Sequence, residues 1–175
     1  GDRNEERREA ALTAAEEALR LAPDSPEAHM AMGLYHYRCF RDYDRALAEI
    51  AIAADARPND TDVISWKATI NKRQGNLDES IRLHERVLEL DPMYDGAARE
   101  IGVAYRLAGE YRKAIEAYDL AIAIAPDVAA PYFRSADIYF TWRGTTSESR
   151  ASLEAMPAYE DPLEYTSWFW LEFFE

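Results

Sequence analysis

Pro23, Pro58, Pro92 and Pro126 stand 35, 34 and 34 residues apart, and each closes a stretch with the same residue pattern. A fixed period of that length predicts stacked helical units. No such unit can bury its apolar face alone, so neighbours must stack to complete a core. Other phases keep the same register. Gly33, Ala68, Gly102 and Ala136 are spaced 35, 34 and 34, while Tyr43, Leu77 and Tyr111 run at 34 and 34. Ala46, Ser80 and Ala114 follow that interval, as do Ala53, Val87 and Ala121. The longer interval arises only across residues 34–42, which places one inserted residue within Tyr37–Asp42.

Each unit divides into two amphipathic helices. In the third, Ala97, Ala98, Ile101, Gly102, Ala104 and Tyr105 recur at three- and four-residue steps. Gly109 ends that helix, because glycine takes the left-handed conformation of a helix terminus at little cost. Tyr111, Ala114, Ile115, Tyr118, Ala121 and Ile122 then form a second apolar stripe. Pro126 stops it, having no amide proton to continue the ladder. Gly75 and Pro92 repeat the arrangement one unit earlier. Ser25-Pro26 reads as a capping hydroxyl before a first-turn proline, and Asp60 and Thr61 offer similar caps. Strand-like alternation is absent, so the chain reads as all-α. Ten helices are expected, near 4–21, 26–39, 43–56, 61–74, 77–90, 95–108, 111–124, 129–142, 147–156 and 163–175. They assemble as a partial unit 1–23, repeats 26–58, 61–92, 95–126 and 129–156, and a partial capping unit 157–175. A chain that opens and closes in mid-repeat is expected to be a fragment, or to use those ends as caps.

The net charge of −13 with 48% hydrophobic residues suits a folded acidic protein rather than a disordered one. It argues against direct nucleic-acid binding, which needs Lys and Arg to neutralise phosphates. Cys39 is the single cysteine, so no internal disulfide can form, and a reducing, cytoplasmic setting is expected. No apolar run approaches the length of a membrane span, and the charged start, Asp2 to Glu9, does not resemble a secretory signal.

These residues resemble the tetratricopeptide repeat, whose pattern sets a small residue and Tyr in the first helix and Ala, an aromatic, Ala and Pro in the second. The third unit carries it as Ile101, Gly102, Tyr105, Ala114, Tyr118, Ala121 and Pro126. The second keeps Ala68, Leu77, Val87 and Pro92, with Asn71 for the Tyr and His84 for the aromatic. The first keeps Met32, Gly33, Tyr43, Ala46, Ala53 and Pro58. The fourth keeps Tyr132, Ala136 and Tyr139, then departs after Gly144. The resemblance implies a right-handed α-solenoid of antiparallel helix pairs, acting as a protein-interaction scaffold. The first two units, with Gly33–Tyr37 and Asp42–Leu47, also look like arrays in large bacterial signalling proteins. That likeness implies an alternative role as a sensory or spacer segment joined to a kinase, cyclase or transcription regulator.

In this register the concave face takes first-helix residues that do not pack inward. They are Tyr37, Arg38, Thr69, Lys72 and Arg73 in the first half of the chain. In the second half they are Arg99, Val103, Arg106, Phe133, Arg134, Asp137 and Phe140. The charge of that set is positive, in contrast to the chain as a whole. Arginine forks suit the carboxylates and carbonyls of an extended peptide, so a protein or peptide partner, acidic in character, is expected. Some family members clamp an acidic C-terminus through Lys and Asn in the first unit. Here those places hold Met30 and Leu34, leaving only Arg134 and Arg99, so the clamp is not expected.

His29, His36 and Cys39 share one helix at metal-like steps, but the two histidines fall where the repeat packs aromatics. They are read as core residues, with no metal and no cofactor. Phosphate loops, dinucleotide glycines, paired cysteines and nucleophile elbows are absent, and the carboxylates are scattered, so no enzyme is expected. Residues 147–175 carry seven acidic side chains against Arg150. They also hold Trp168, Phe169, Trp170, Phe173 and Phe174, an apolar surface on nearly every side of the last helix. Two readings stay open: this helix packs on 147–156 and awaits a following helix, or its aromatic face pairs with a second copy as a homodimer.

Overall fold

The computed structural model describes residues 3–157, and every regular element among them is helical. The chain forms two compact units, Gly1–Pro92 and Met93–Glu175, divided where a repeat ends. The expected last helix, with Trp168, Phe169, Trp170, Phe173 and Phe174, lies outside the described residues.

The first unit contains α1 (Arg3–Leu21), α2 (Pro26–Tyr35), α3 (Tyr43–Ala56), α4 (Thr61–Gln74) and α5 (Leu77–Leu90). Antiparallel neighbours pack in sequence, α2 on α3 and α4 on α5. Two of the three expected caps are made, and the third candidate, Thr61, is instead the first residue of α4. Ser25 Oγ accepts from the Ala28 amide at 3.3 Å, and Asp60 Oδ1 accepts from the Asp62 and Val63 amides at 3.0 and 3.2 Å. Ala46, Ile50, Ala53, Val63 and Ile70 form the core between α3 and α4. Full burial of a residue such as Ile50 is worth about 1.5–3 kcal/mol. Gly33 lets α2 approach α3 closely, since a Cβ there would stand 2.8 Å from Ile50 Cγ1.

The second unit contains α6 (Asp95–Leu107), α7 (Tyr111–Ile124), α8 (Ala130–Ile138) and α9 (Thr146–Glu154). Here α6 packs on α7 and α8 on α9. Its core gathers Ala114, Ile115, Tyr118 and Ile138, with Val103, Tyr105, Tyr111 and Tyr139 against them. Tyr118 takes the aromatic slot of the repeat, and its ring fills the space that the missing side chain of Gly102 leaves open.

The inserted residue has a structural form. After Tyr35 the helix widens into a π-helical turn, His36–Phe40, the way a helix absorbs one extra residue without breaking. A second such turn, Tyr139–Arg143, follows α8. Sequence spacing agrees: from Gly33, Ala68, Gly102 and Ala136 to the left-handed residue that ends the helix is eight, seven, seven and eight residues. The fourth unit therefore does not lose the pattern after Gly144, as the uncorrected register implies. It shifts by one residue. Ser149 and Leu153 then stand where Ala114 and Tyr118 stand one unit earlier, and both are buried.

Candidate functional site

In the first unit the expected groove residues fall into three environments. Tyr37 packs its ring on Trp66, edge to face at 6.0 Å, and lies 6.1 Å from Tyr43. Arg38 sets its guanidinium 5.1 Å from the centre of the Trp66 ring, a cation–π contact that leaves most of its donors free to bind elsewhere. Thr69 is half-buried and Arg73 is exposed on the last turn of α4. Lys72 differs, being only 9% exposed, so it offers little surface to a partner. Its charge instead adds to the forces acting on His84.

His84 sits in the aromatic slot of its repeat and is buried. Burial, with a smaller contribution from Lys72, pushes its imidazole from the ordinary 6.5 down to about 4. The Nδ1 atom donates to the Ser80 carbonyl at 3.0 Å, which opposes that fall only in part. The side chain is a neutral packing element. His29 is also structural, with Nδ1 2.7 Å from Glu49 Oε2 and Nε2 2.9 Å from the Pro23 carbonyl. His36 stands edge-on to Tyr35 within the π-turn rather than in the buried core. Among the described residues no three His, Cys, Asp or Glu side chains are grouped to hold a metal ion. Nor is any described helix long and apolar enough to cross a membrane.

The second unit brings two of its expected cations together. The guanidinium groups of Arg106, from α6, and Arg134, from α8, both lie beside the hydroxyl of Tyr118 on α7. That hydroxyl is fully buried and has no hydrogen bond of good geometry. Arg106 Nε is buried without a partner as well. Burial raises the Tyr118 pKa, and the two neighbouring positive charges oppose the rise. Arg99 is less available, since its Nε donates to Asp95 Oδ2 at 2.9 Å. Val103 packs against the core beside Tyr118. Phe133 is half-buried, while Arg134, Asp137 and Phe140 are exposed.

Two residues that shape these faces escape the sequence reading. Trp66 carries the stacking surface for Tyr37 and Arg38, and Tyr118 is assigned only to packing. A tyrosine in a slot that buries the whole ring needs a partner for its hydroxyl, and that need is the signal that could have singled it out.

Similar helix pairs are found in solved proteins. A MamA structure covers 89% of this chain and 92% of its own, at a TM-score of 0.73 and 19% identity. A Pseudomonas aeruginosa pilF structure covers 86% of this chain and 68% of its own, at 0.75 and 16%. In sequence, a CTR9 homolog protein of Arabidopsis thaliana is 29% identical over 87 residues, 49% of this chain. The chain spans about 8% of that relative's length. A tetratricopeptide-repeat profile matches residues 3–61 and 67–136, most of the chain, and agrees with the period, the helix pairs and the small-to-aromatic contact of Gly102 with Tyr118. The chain belongs to the tetratricopeptide-repeat family.

Proposed function

We propose that the protein is a non-enzymatic interaction scaffold that binds an acidic peptide on the first-helix faces of its repeats. The observation that carries this reading is the pair of guanidiniums, Arg106 and Arg134, gathered at one buried tyrosine in a protein of net charge −13. Positive charge held together against that background favours an anionic partner. Phe133 and Phe140 supply apolar surface on the same helix, or its π-turn continuation, as Arg134. Tyr37, Arg38 and Trp66 make a second aromatic and cationic face in the first unit. The partner is a protein segment because repeats of this family present extended side-chain surfaces rather than enclosed cavities.

A random-peptide display library panned against the immobilised full chain tests the assignment. Asp- and Glu-rich sequences should be enriched, and Arg106→Glu with Arg134→Glu should abolish that enrichment. Identical peptides recovered from wild type and double variant would remove the faces named here from the function.

A further inference from the structure

We infer that the contact of α4 with α5 is a weak seam, at which α5 comes away in a local, acid-promoted step while α4 stays on α3. Among the described residues six buried side chains are polar or charged, and four of them, Asn71, Lys72, Ser80 and His84, lie on this one helix pair. Asn71, Ser80 and His84 stand where Tyr105, Ala114 and Tyr118 stand one unit later. In that later unit Ala114 and Tyr118 are core, and Tyr105 packs on them. The seam has therefore exchanged apolar groups for polar ones at three matched positions, and apolar burial is what holds such helices together. The hydrogen bonds of His84 and Asn71 do not replace it, because they stay on one helix or at the turn. His84 Nδ1 donates to the Ser80 carbonyl at 3.0 Å, and Asn71 Nδ2 donates to the Lys67 carbonyl at 2.9 Å. Asn71 Oδ1 accepts from Asn76 Nδ2 at 3.2 Å, in the turn that joins the helices. Parting α5 from α4 breaks none of the three, so these groups occupy the seam without binding it.

The other side of α4 is different. Val63 and Ile70 pack with Ala46, Ile50 and Ala53 of α3 in an all-apolar core, which keeps α4 in place when α5 leaves. Trp66 stays with it, and so does the face that Trp66 makes with Tyr37 and Arg38. Acid acts on the seam through the buried ring of His84. Lys72 is the charged group of α4 that bears on that ring, and its positive charge opposes a second one. On α5 the carboxylates of Glu79 and Glu89 are held by Arg82 and Arg86. In place, the imidazole takes a proton only near 4, whereas released it does so near 6.5. The open form therefore binds more protons between those values, and opening grows as the pH falls below 6.5. The released helix shows the apolar stripe of Ile81, Leu83 and Val87 that the seam covers.

Native-state amide hydrogen exchange on the full chain, corrected for the intrinsic pH dependence of exchange, tests the seam. At about pH 7 the amides of α5 should exchange through a shared opening, at least about tenfold more readily than those of α3 and α7. Lowering the pH to about 5 should enlarge the opening of α5 about twentyfold and that of α3 and α7 far less. His84→Leu copies the fourth unit, where Ala136 and Leu153 hold the places of Ala68 and His84. That variant should slow exchange in α5 about tenfold and cancel its acid response. Asn71→Leu should also slow exchange in α5, but should leave the acid response as it is. Protection in α5 equal to that in α7, or an acid response spread evenly over the helices, would overturn the seam. So would a His84→Leu protein in which α5 exchanges as readily as before.

Discussion

At the scale of single residues, the second-helix slot where the repeat pattern sets an aromatic is the most informative position. Tyr118 and His84 both occupy it, and each brings a polar atom into the core. For His84 the cost is pH-dependent. The unfolded imidazole takes a proton near 6.5, while the folded one does so only near 4. Between those values the unfolded chain binds more protons, so stability falls as the pH drops from 6.5 towards 4 and is untouched by this group above 6.5. The full loss is about 3 kcal/mol. His84→Phe should remove it, leaving a variant whose urea midpoint at about pH 4.5 lies closer to its value at about pH 7 than the wild type's does. Parallel pH profiles for the two proteins would show that His84 is not the group responsible.

At the scale of elements, four first helices end in the left-handed conformation, three at Gly75, Gly109 and Gly144 and one at Arg41, with φ 55°. A side chain there costs about 1 kcal/mol relative to glycine. Arg41→Gly should therefore raise the unfolding free energy by about 0.5–1 kcal/mol in urea titrations, with the helical circular dichroism unchanged. A loss of stability would mean that the Arg41 side chain makes compensating contacts. Among the described residues helix bounds were legible in the sequence to within about two residues, because proline or glycine follows nearly every helix and the side chains of Ser25, Asp42 and Asp60 cap three of the starts. The second π-turn was not legible from the proline ladder. Its extra residue falls after Pro126, with no later proline of the series to register the shift, and only the interval from Ala136 to Gly144 exposes it. The candidate site was legible in part. Register alone named Arg106 and Arg134, whereas their meeting at Tyr118, the burial of Lys72 and the pairing of Arg99 with Asp95 depend on side-chain paths that periodicity does not contain.

For the molecule as a whole, charge acts in two opposed directions. The net charge of −13 makes the folded chain repel itself, and salt relieves that repulsion. The ion pairs that salt would weaken are mostly exposed contacts within one helix, such as Arg20 with Glu17 and Arg82 with Glu79, which water already screens and which contribute little to stability. Relief should win, so raising NaCl from about 0.02 to about 0.5 M should lift the melting temperature by a few degrees. The same salt should weaken capture of an acidic peptide, because that attraction is screened. Thermal melts and peptide titrations across one salt series read both effects, and trends of the same sign would contradict the separation of a basic binding face from an acidic body. The paired π-turns bear on how such a chain can change its length. Each takes up one surplus residue within five positions, and the buried positions of the following helix, Ala46 and Ile50 or Ser149 and Leu153, resume in phase. A chain of this kind can therefore gain or lose one residue at the end of a first helix while the next helix keeps its packing, with the aromatic side chains of those turns still in contact with neighbours, Phe40 with Tyr35 and Trp142 with Tyr111.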